Sequence, residues 1–505
     1  MYSAIKKTFK HALSFGVGSA IRSAFGFLLV PLYSRKLTAG ELGVLSLLTI
    51  TLTLATIVLS FGLNHAFFRH YYETEEQEHR RRVVGSTLVF LFVTTAGFTL
   101  LLYAVAPAIS AALFTASSSH PELLRLVFLI VFFEVINIVP DSILRANFKS
   151  TRYSILSVVA FGVQIGVITY LVISVEASAA SVLLGRLIGT IFEAVIFFAV
   201  VWRDLSLRFS LRELRQMLAF GAPLIFGQIA FYLFMMIDRF FLLRYSTRSE
   251  VGVYSMANNL VSVVTVLVTV PFGQVWTVMR FSVMNEEVAE EYYSRVLTYI
   301  VFASMWLALG VAALGGDGLL LFSLKGYWPA ANIIPLLALS AVLDSASRVL
   351  NVGITLKKRT IFAPLVIGAA LIVNLALNFA LIPRWGSLGA TLSTVLSYAV
   401  FCWLRFAASN RFFKVSYEWG RVFTLGALGM LVIAMFYLLD YLRGAQPHPG
   451  AVWLTMVLKV VVAGSFPLML WAFRFYDERE RRRLGEARSS LFVFFRRQKP
   501  ETNLY

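Results

Sequence analysis

Apolar residues in this chain fall in long blocks separated by short stretches that hold most of the charge. The blocks run over 12–32, 42–68, 83–106, 122–145, 153–174, 179–202, 217–243, 251–279, 294–316, 332–356, 361–383, 386–408, 419–441 and 452–474. About 20 apolar residues let a helix cross the hydrocarbon core. Backbone polar groups in lipid must be satisfied within the segment, so each block predicts a helix. Barrel strands would show much shorter, alternating segments. The pattern predicts an all-α integral membrane protein of about fourteen transmembrane helices.

Composition strengthens this picture. Hydrophobic residues make up 58% of the 505, charged residues 14%, and mean hydropathy is +0.76. A soluble domain carries about 25% charged residues, and its core stops growing near 250–300 residues. The net charge of +18 would suit nucleic acid, but the positions of the charges argue against that partner. With the N-terminus inside, the inner segments hold about 32 Lys and Arg and the outer ones about seven. That is the positive-inside bias, and it places both termini in the cytoplasm. The basic Met1–His11 segment leads into an apolar run that reads as a retained first span rather than a cleaved signal. The outer loops are short, the longest at 107–121. Cys402, alone, forms neither an internal disulfide nor a zinc site. Over Arg203–Leu218, Leu207, Leu211, Leu214 and Leu218 share one face and Arg208, Arg212 and Arg215 another. This predicts an interfacial amphipathic helix joining two halves.

An internal repeat divides the chain. Glu41-Leu-Gly-Val-Leu-Ser46 matches Glu250-Val-Gly-Val-Tyr-Ser255. Each opens a span on the outer side. Each span then carries Phe-Gly, at Phe61-Gly62 and Phe272-Gly273, and ends on Arg69 or Arg280. The preceding spans match more loosely, through Phe15-Gly16 and Phe220-Gly221. Six spans separate the copies, so the halves keep one orientation and are related by an axis along the membrane normal. The boundaries that follow are an N-terminal six-helix lobe over 1–202, a linker over 203–218, a second lobe over 219–408, two further spans within 409–474, and a basic tail over 475–505.

The residues that carry a family resemblance run in order along the chain. Pro31 to Gly43 (Pro-Leu-Tyr-Ser-Arg-Lys-Leu-Thr-Ala-Gly-Glu-Leu-Gly) resembles the opening signature of bacterial O-antigen and polysaccharide flippases. Asp238-Arg239-Phe240 with Val251 to Ser255 resembles their second-half signature. Asn374, Asn378, Pro383, Trp385-Gly386 and Gly389-Ala390-Thr391 resemble a third. This is the polysaccharide branch of the multidrug/oligosaccharidyl-lipid/polysaccharide exporter superfamily. The resemblance implies two pseudo-symmetric six-helix bundles in a V, plus two C-terminal helices. It implies a substrate on an undecaprenyl diphosphate carrier, moved across the bacterial inner membrane, and an association with polysaccharide polymerase machinery. Membrane lipids are the other partners expected; no cofactor, metal or catalytic residue is.

Charge inside a membrane costs about 2.5–3.5 kcal/mol on insertion scales, so each buried ion demands a reason. Arg22 sits in the middle of the first span. Arginine binds phosphate bidentately, which makes Arg22 a candidate head-group contact. Arg69 and Arg280, at inner span ends, are candidates to receive the diphosphate, beside their plainer use as positive-inside anchors. Arg186 with Glu193, and Arg348 with Asp344, read as ion pairs along single helices. Glu134 and Asp141 flank Pro140 in the fourth span and are candidates for proton or sodium coupling, with Glu193 and Asp344 behind them. Asp238-Arg239 reads as the outer end of a span, and Lys459 as a residue that snorkels. Two other functions stay open. A cation-coupled drug antiporter would centre on Glu134, Asp141 or Glu193. A membrane-embedded polymerase or ligase would need a larger outer loop than this chain has.

Overall fold

The computed structural model describes residues 28–482 except 114–119, 148–149, 285, 287, 358, 360, 445–447 and 479. Arg22 and most of the first span and basic tail lie outside the described residues. Among the described residues the regular structure is all helical. Twelve helices are long and apolar enough to cross a membrane. One of them, Phe362–Asn410, is a hairpin: Gly386 at its middle has φ 53° and ψ −127°, a conformation open essentially to glycine alone. Its arms are the eleventh and twelfth spans read from the sequence. That makes thirteen spans among the described residues; the first block read from the sequence ends in helix Leu29–Lys36 and otherwise lies outside them, so the count is consistent with about fourteen.

The spans are the second at Ala39–Tyr71, third at Gln77–Ala112, fourth at Pro121–Ala146, fifth at Arg152–Ser174 and sixth at Ala179–Val201. The seventh is Leu211–Met236, the eighth Arg248–Ser282, the ninth Ala289–Phe322 and the tenth Ala330–Leu356; the thirteenth and fourteenth are Trp419–Arg443 and Pro449–Ala472. The linker departs from the sequence reading. No separate helix covers it: residues 203–210 are turn and extended chain, and the helix starts at Leu211. Ser210 fixes that start by accepting the Glu213 N–H at 3.4 Å, so the helix beginning there runs straight on into the seventh span.

The repeat reappears as equivalent contacts. Thr38 and Thr247 each cap a helix, accepting the N–H of Glu41 and of Glu250 at 3.2 Å. The two glutamates then reach across to a second helix. Glu41 accepts the Ala179 N–H at 2.7 Å at the start of the sixth span, and Glu250 the Ser387 N–H at 2.9 Å at the start of the twelfth. Carboxylates are favoured at helix N-termini, where backbone N–H groups are unpaired. Between them the second and eighth spans cross in intimate contact. A methyl group on Gly43 would overlap the Arg248 carbonyl, and one on Gly252 the Ala39 carbonyl. Ser255 donates to Ser46 at 2.9 Å beside this crossing.

Several spanning helices are broken along their length or close to one end. The second breaks at Phe61 and Gly62, both at positive φ, the fourth at Asn137, the seventh at Ile237 and the tenth at Asn351. The eighth contains a π turn at Thr265–Thr269 just before Pro271, which removes a backbone donor from the ladder. Broken helices of this kind are common around transporter binding sites.

The last two spans dock through buried charge. Lys459 contacts Asp317 at 3.1 Å and Asp440 at 2.7 Å, while Arg443 contacts both acids. Lys459 is therefore buried and does not snorkel; two acids within reach hold its ammonium inside. Removing one member of a buried pair costs about 3–5 kcal/mol. Lys459→Met is expected to lower the melting temperature of the purified protein clearly, and Asp317→Asn added to it to recover much of the loss. An unchanged midpoint would show the network to be dispensable.

Candidate functional site

A cavity of about 310 Å³ lies between the first, second, fifth and sixth spans on one side and the seventh and eighth on the other. Its ceiling is the Ser46–Ser255 contact and the glycine crossing. Its walls carry Arg186, Arg239, Gln164, Asn258 and Asn259, with Tyr33 and Tyr232. Two guanidiniums, each already paired with a carboxylate, and three amides around one space are groups that can hydrogen-bond a polar or anionic ligand.

Arg239 reaches this cavity because the seventh span stops at Met236 and a new helix starts at Asp238. The sequence reading placed Asp238-Arg239 at the outer end of a span; the helix does end just before them, and packing buries both, each 3% exposed. Asp238 holds Arg239 at 3.1 Å and accepts hydrogen bonds from Tyr254 and, at 3.3 Å, Thr394. Arg239, Asn258 and Asn259 were not singled out as site residues. The adjacent amides within an otherwise apolar eighth span were the available signal.

A second cavity, of about 500 Å³, lies among the second, fourth, fifth and sixth spans. It gathers Glu134, Asp141 and Glu193, three of the four acids considered for ion coupling. Arg186 donates to Glu134 at 2.8 Å, and Thr56 donates to the other carboxylate oxygen at 3.2 Å. The expected Arg186–Glu193 pair is replaced by this contact between helices. Seven residues rise about 10.5 Å along a helix, whereas the facing helix brings Glu134 into direct reach. Asp141 pairs with Arg145 at 3.0 Å. Asn137, at the helix break, is 7% exposed, and its side-chain oxygen has no hydrogen-bond partner. Arg186 and Gln164 line both cavities and form the wall between them.

The other candidates lie apart. Asp344 and Arg348 form the expected pair at 3.1 Å, in neither cavity. Arg69 lies 4.4 Å from the Phe220 ring centre and Arg280 5.0 Å from that of Phe281, and neither lines a cavity described above. An apolar cleft of about 810 Å³ lies between the ninth, tenth, twelfth and thirteenth spans, walled by residues such as Trp403, Phe406 and Trp419. Among the described residues no cluster of His, Cys, Asp or Glu could hold a metal ion.

These features define a multi-pass membrane protein with a polar cavity between two helical halves. The chain also matches the sequence model of the family described as "Polysaccharide biosynthesis protein" over residues 32–321, and it belongs to that family. Its fold is similar to that of the lipid II flippase MurJ in an inward closed conformation. That match has a TM-score of 0.73 at 14% identity, covering 92% of this chain and 99% of that one. An inward-facing MATE multidrug resistance transporter of the MOP superfamily gives 0.64 at 14% identity, over 82% and 96%. The outward-facing form gives 0.56 at 14% identity, over 83% and 96%. A search of curated proteins finds no significant match.

Proposed function

We propose that this protein carries a lipid-linked oligosaccharide of the undecaprenyl diphosphate type from the inner to the outer leaflet of the bacterial cytoplasmic membrane. The observation that carries this reading is the cavity holding Arg186 and Arg239 together with Gln164, Asn258 and Asn259. The guanidiniums neutralise the diphosphate, and the amides and tyrosines bind sugar hydroxyls. The family description and the likeness to a lipid II flippase support it. Residues 1–202 and 219–408 are the two bodies that rock, with both termini in the cytoplasm. Arg69 and Arg280 meet the diphosphate at the inner leaflet, Arg22 follows within the first span, and Arg348 belongs to the same path. The lipid tail stays in the bilayer. A membrane potential negative inside favours outward movement of negative charge. The polysaccharide polymerase machinery is the expected consumer of the product.

The test uses proteoliposomes and a fluorescent undecaprenyl-diphosphate oligosaccharide, with sugar accessibility followed from both sides. Protein-dependent exchange between leaflets, lost in Arg186→Ala and Arg239→Ala, is expected. A second reading, a cation-coupled drug antiporter, is favoured by one observation: Glu134, Asp141 and Glu193 share a cavity. Transport of a cationic dye, with no exchange of any lipid-linked sugar, would replace the first reading with the second.

A further inference from the structure

The apolar cleft of about 810 Å³ between the ninth, tenth, twelfth and thirteenth spans is separate from the central cavity, and no span lines both. It exists because the thirteenth span packs on the ninth and fourteenth and makes little contact with the twelfth. Its walls lie over 297–305, 342–350, 399–406 and 419–427, towards the ends that the positive-inside bias places in the cytoplasm. Ala346, Ala399 and Gly426 keep the space open, and Trp403, Phe406 and Trp419 border it. A methyl group on Gly426 would meet no atom within 4 Å. Proteins keep few voids larger than a water molecule, and water does not settle in an apolar one. In a bilayer the filling at hand is a hydrocarbon chain.

The cytoplasmic end of the cleft is basic. Phe406 and Trp419 meet edge to face there, with ring centres 5.0 Å apart, and the chain between them turns through Arg411 and Lys414. The end of the tenth span joins this turn. Gly353 donates its N–H to the Ser409 hydroxyl at 2.7 Å. Lys357 lies 6.0 Å from the Phe413 ring centre and Arg359 5.8 Å from that of Phe412. Lys357, Arg359, Arg411 and Lys414 are all exposed. Arg421 holds the acids Glu418 and Glu480, at 3.0 and 2.7 Å. Among the described residues no carboxylate pairs with any of the four cations.

We propose that the cleft binds an anionic phospholipid of the inner leaflet, with an acyl chain between the tenth, twelfth and thirteenth spans and the phosphate at Lys357, Arg359, Arg411 and Lys414. Charge-assisted hydrogen bonds from Arg and Lys suit a phosphate. Each such residue near a bilayer surface favours an anionic lipid by about fivefold. The occupant is a resident lipid and not the tail of a molecule held in the central cavity, because the two spaces share no wall. It wedges the thirteenth span against the second lobe, where protein alone leaves the contact incomplete.

The experiment uses full-length protein in nanodiscs of phosphatidylcholine with a rising share of phosphatidylglycerol brominated along its acyl chains. Bromine quenches tryptophan on contact, and Trp403 and Trp419 border the cleft. The difference between wild type and Trp403→Phe/Trp419→Phe isolates these two among the nine tryptophans. Half of that signal is expected to be quenched at a share of brominated phosphatidylglycerol at least about fivefold below the share needed of brominated phosphatidylcholine. Gly426→Leu, which fills the cleft, is expected to abolish the preference. Arg411→Gln/Lys414→Gln, on exposed side chains, is expected to raise the half-quenching share by up to about fivefold for each charge removed. Equal quenching by the two lipids in wild type overturns the proposal, as does a preference that survives Gly426→Leu. Quenching by neither lipid shows the cleft to be covered by protein, such as a second copy of the chain, and overturns it too. The proposed function stands apart from all three results, since it concerns the other cavity.

Discussion

Gly252→Val is expected to abolish translocation while leaving the protein folded and inserted. The second and eighth spans cross where Gly252 faces the Ala39 carbonyl and Gly43 the Arg248 carbonyl, with no room for a methyl group. The obstacle is backbone, which cannot swing aside as a side chain does. Overpacking costs about 1–3 kcal/mol where neighbours can adjust, and rigid backbone gives the upper part of that range. Since about 1.4 kcal/mol is tenfold in a population, the state with this end closed falls by ten- to a hundredfold or more against states with the spans apart. A fold whose halves separate in part of the cycle tolerates the valine in that part, which is why insertion survives. Ser46 and Ser255 supply the readout. Their hydroxyls are 2.9 Å apart, close enough for cysteines at both positions to bridge. In a Cys402→Ala background, Ser46→Cys/Ser255→Cys is expected to oxidise readily and to stop transport until reduced. Adding Gly252→Val should sharply cut the yield of that bridge. A high yield would show that the helices close despite the valine, and the crossing would not be a gate.

Much of this architecture is legible in sequence because lipid imposes a simple rule. A segment must be long, apolar and helical, and thirteen of the fourteen blocks fall on helix among the described residues; the first is mostly outside them. The repeat was legible for a related reason. Glu41-x-Gly43 and Glu250-x-Gly252 each need a capping acid and a residue without a side chain two places on, and few sequences meet both demands. The site was less legible. Hydropathy locates a charged residue along a helix but does not say which neighbour it faces. Arg186 therefore seemed to belong with Glu193 on its own helix, when packing of the sixth span against the fourth gives it Glu134. Asp238-Arg239 read as a span's end, which the helix end at Met236 matches, but the sequence did not say that both side chains are buried against protein. The break at Ile237 starts the helix that brings Arg239 to the cavity wall. Lys459 had no acid within two turns on its own helix, and its partners come from the ninth and thirteenth spans.

Arg186→Ala should remove transport, and the double variant Arg186→Ala/Glu134→Gln tells why. The single change deletes the guanidinium from the central cavity and also leaves Glu134 partly buried without its cation. The second effect is a matter of stability. Breaking a fully buried pair costs about 3–5 kcal/mol, and here, with the Glu134 side chain 24% exposed, the loss is smaller because water reaches the carboxylate. The double variant leaves no charge stranded, so its melting temperature should return most of the way to wild type. Transport should not return with it. A charged hydrogen bond is worth about 1.5–3 kcal/mol, so losing one to a diphosphate weakens head-group binding by roughly ten- to a hundredfold. Arg186→Lys keeps the charge but not the planar fork that grips two phosphate oxygens. It is expected to fall between wild type and alanine in affinity, with stability close to wild type. Measured together, melting temperature, farnesyl diphosphate affinity and leaflet exchange separate the two roles. Recovery of exchange in the double variant would reduce Arg186 to a structural counter-ion and shift substrate recognition to Arg239 and the amides of the eighth span.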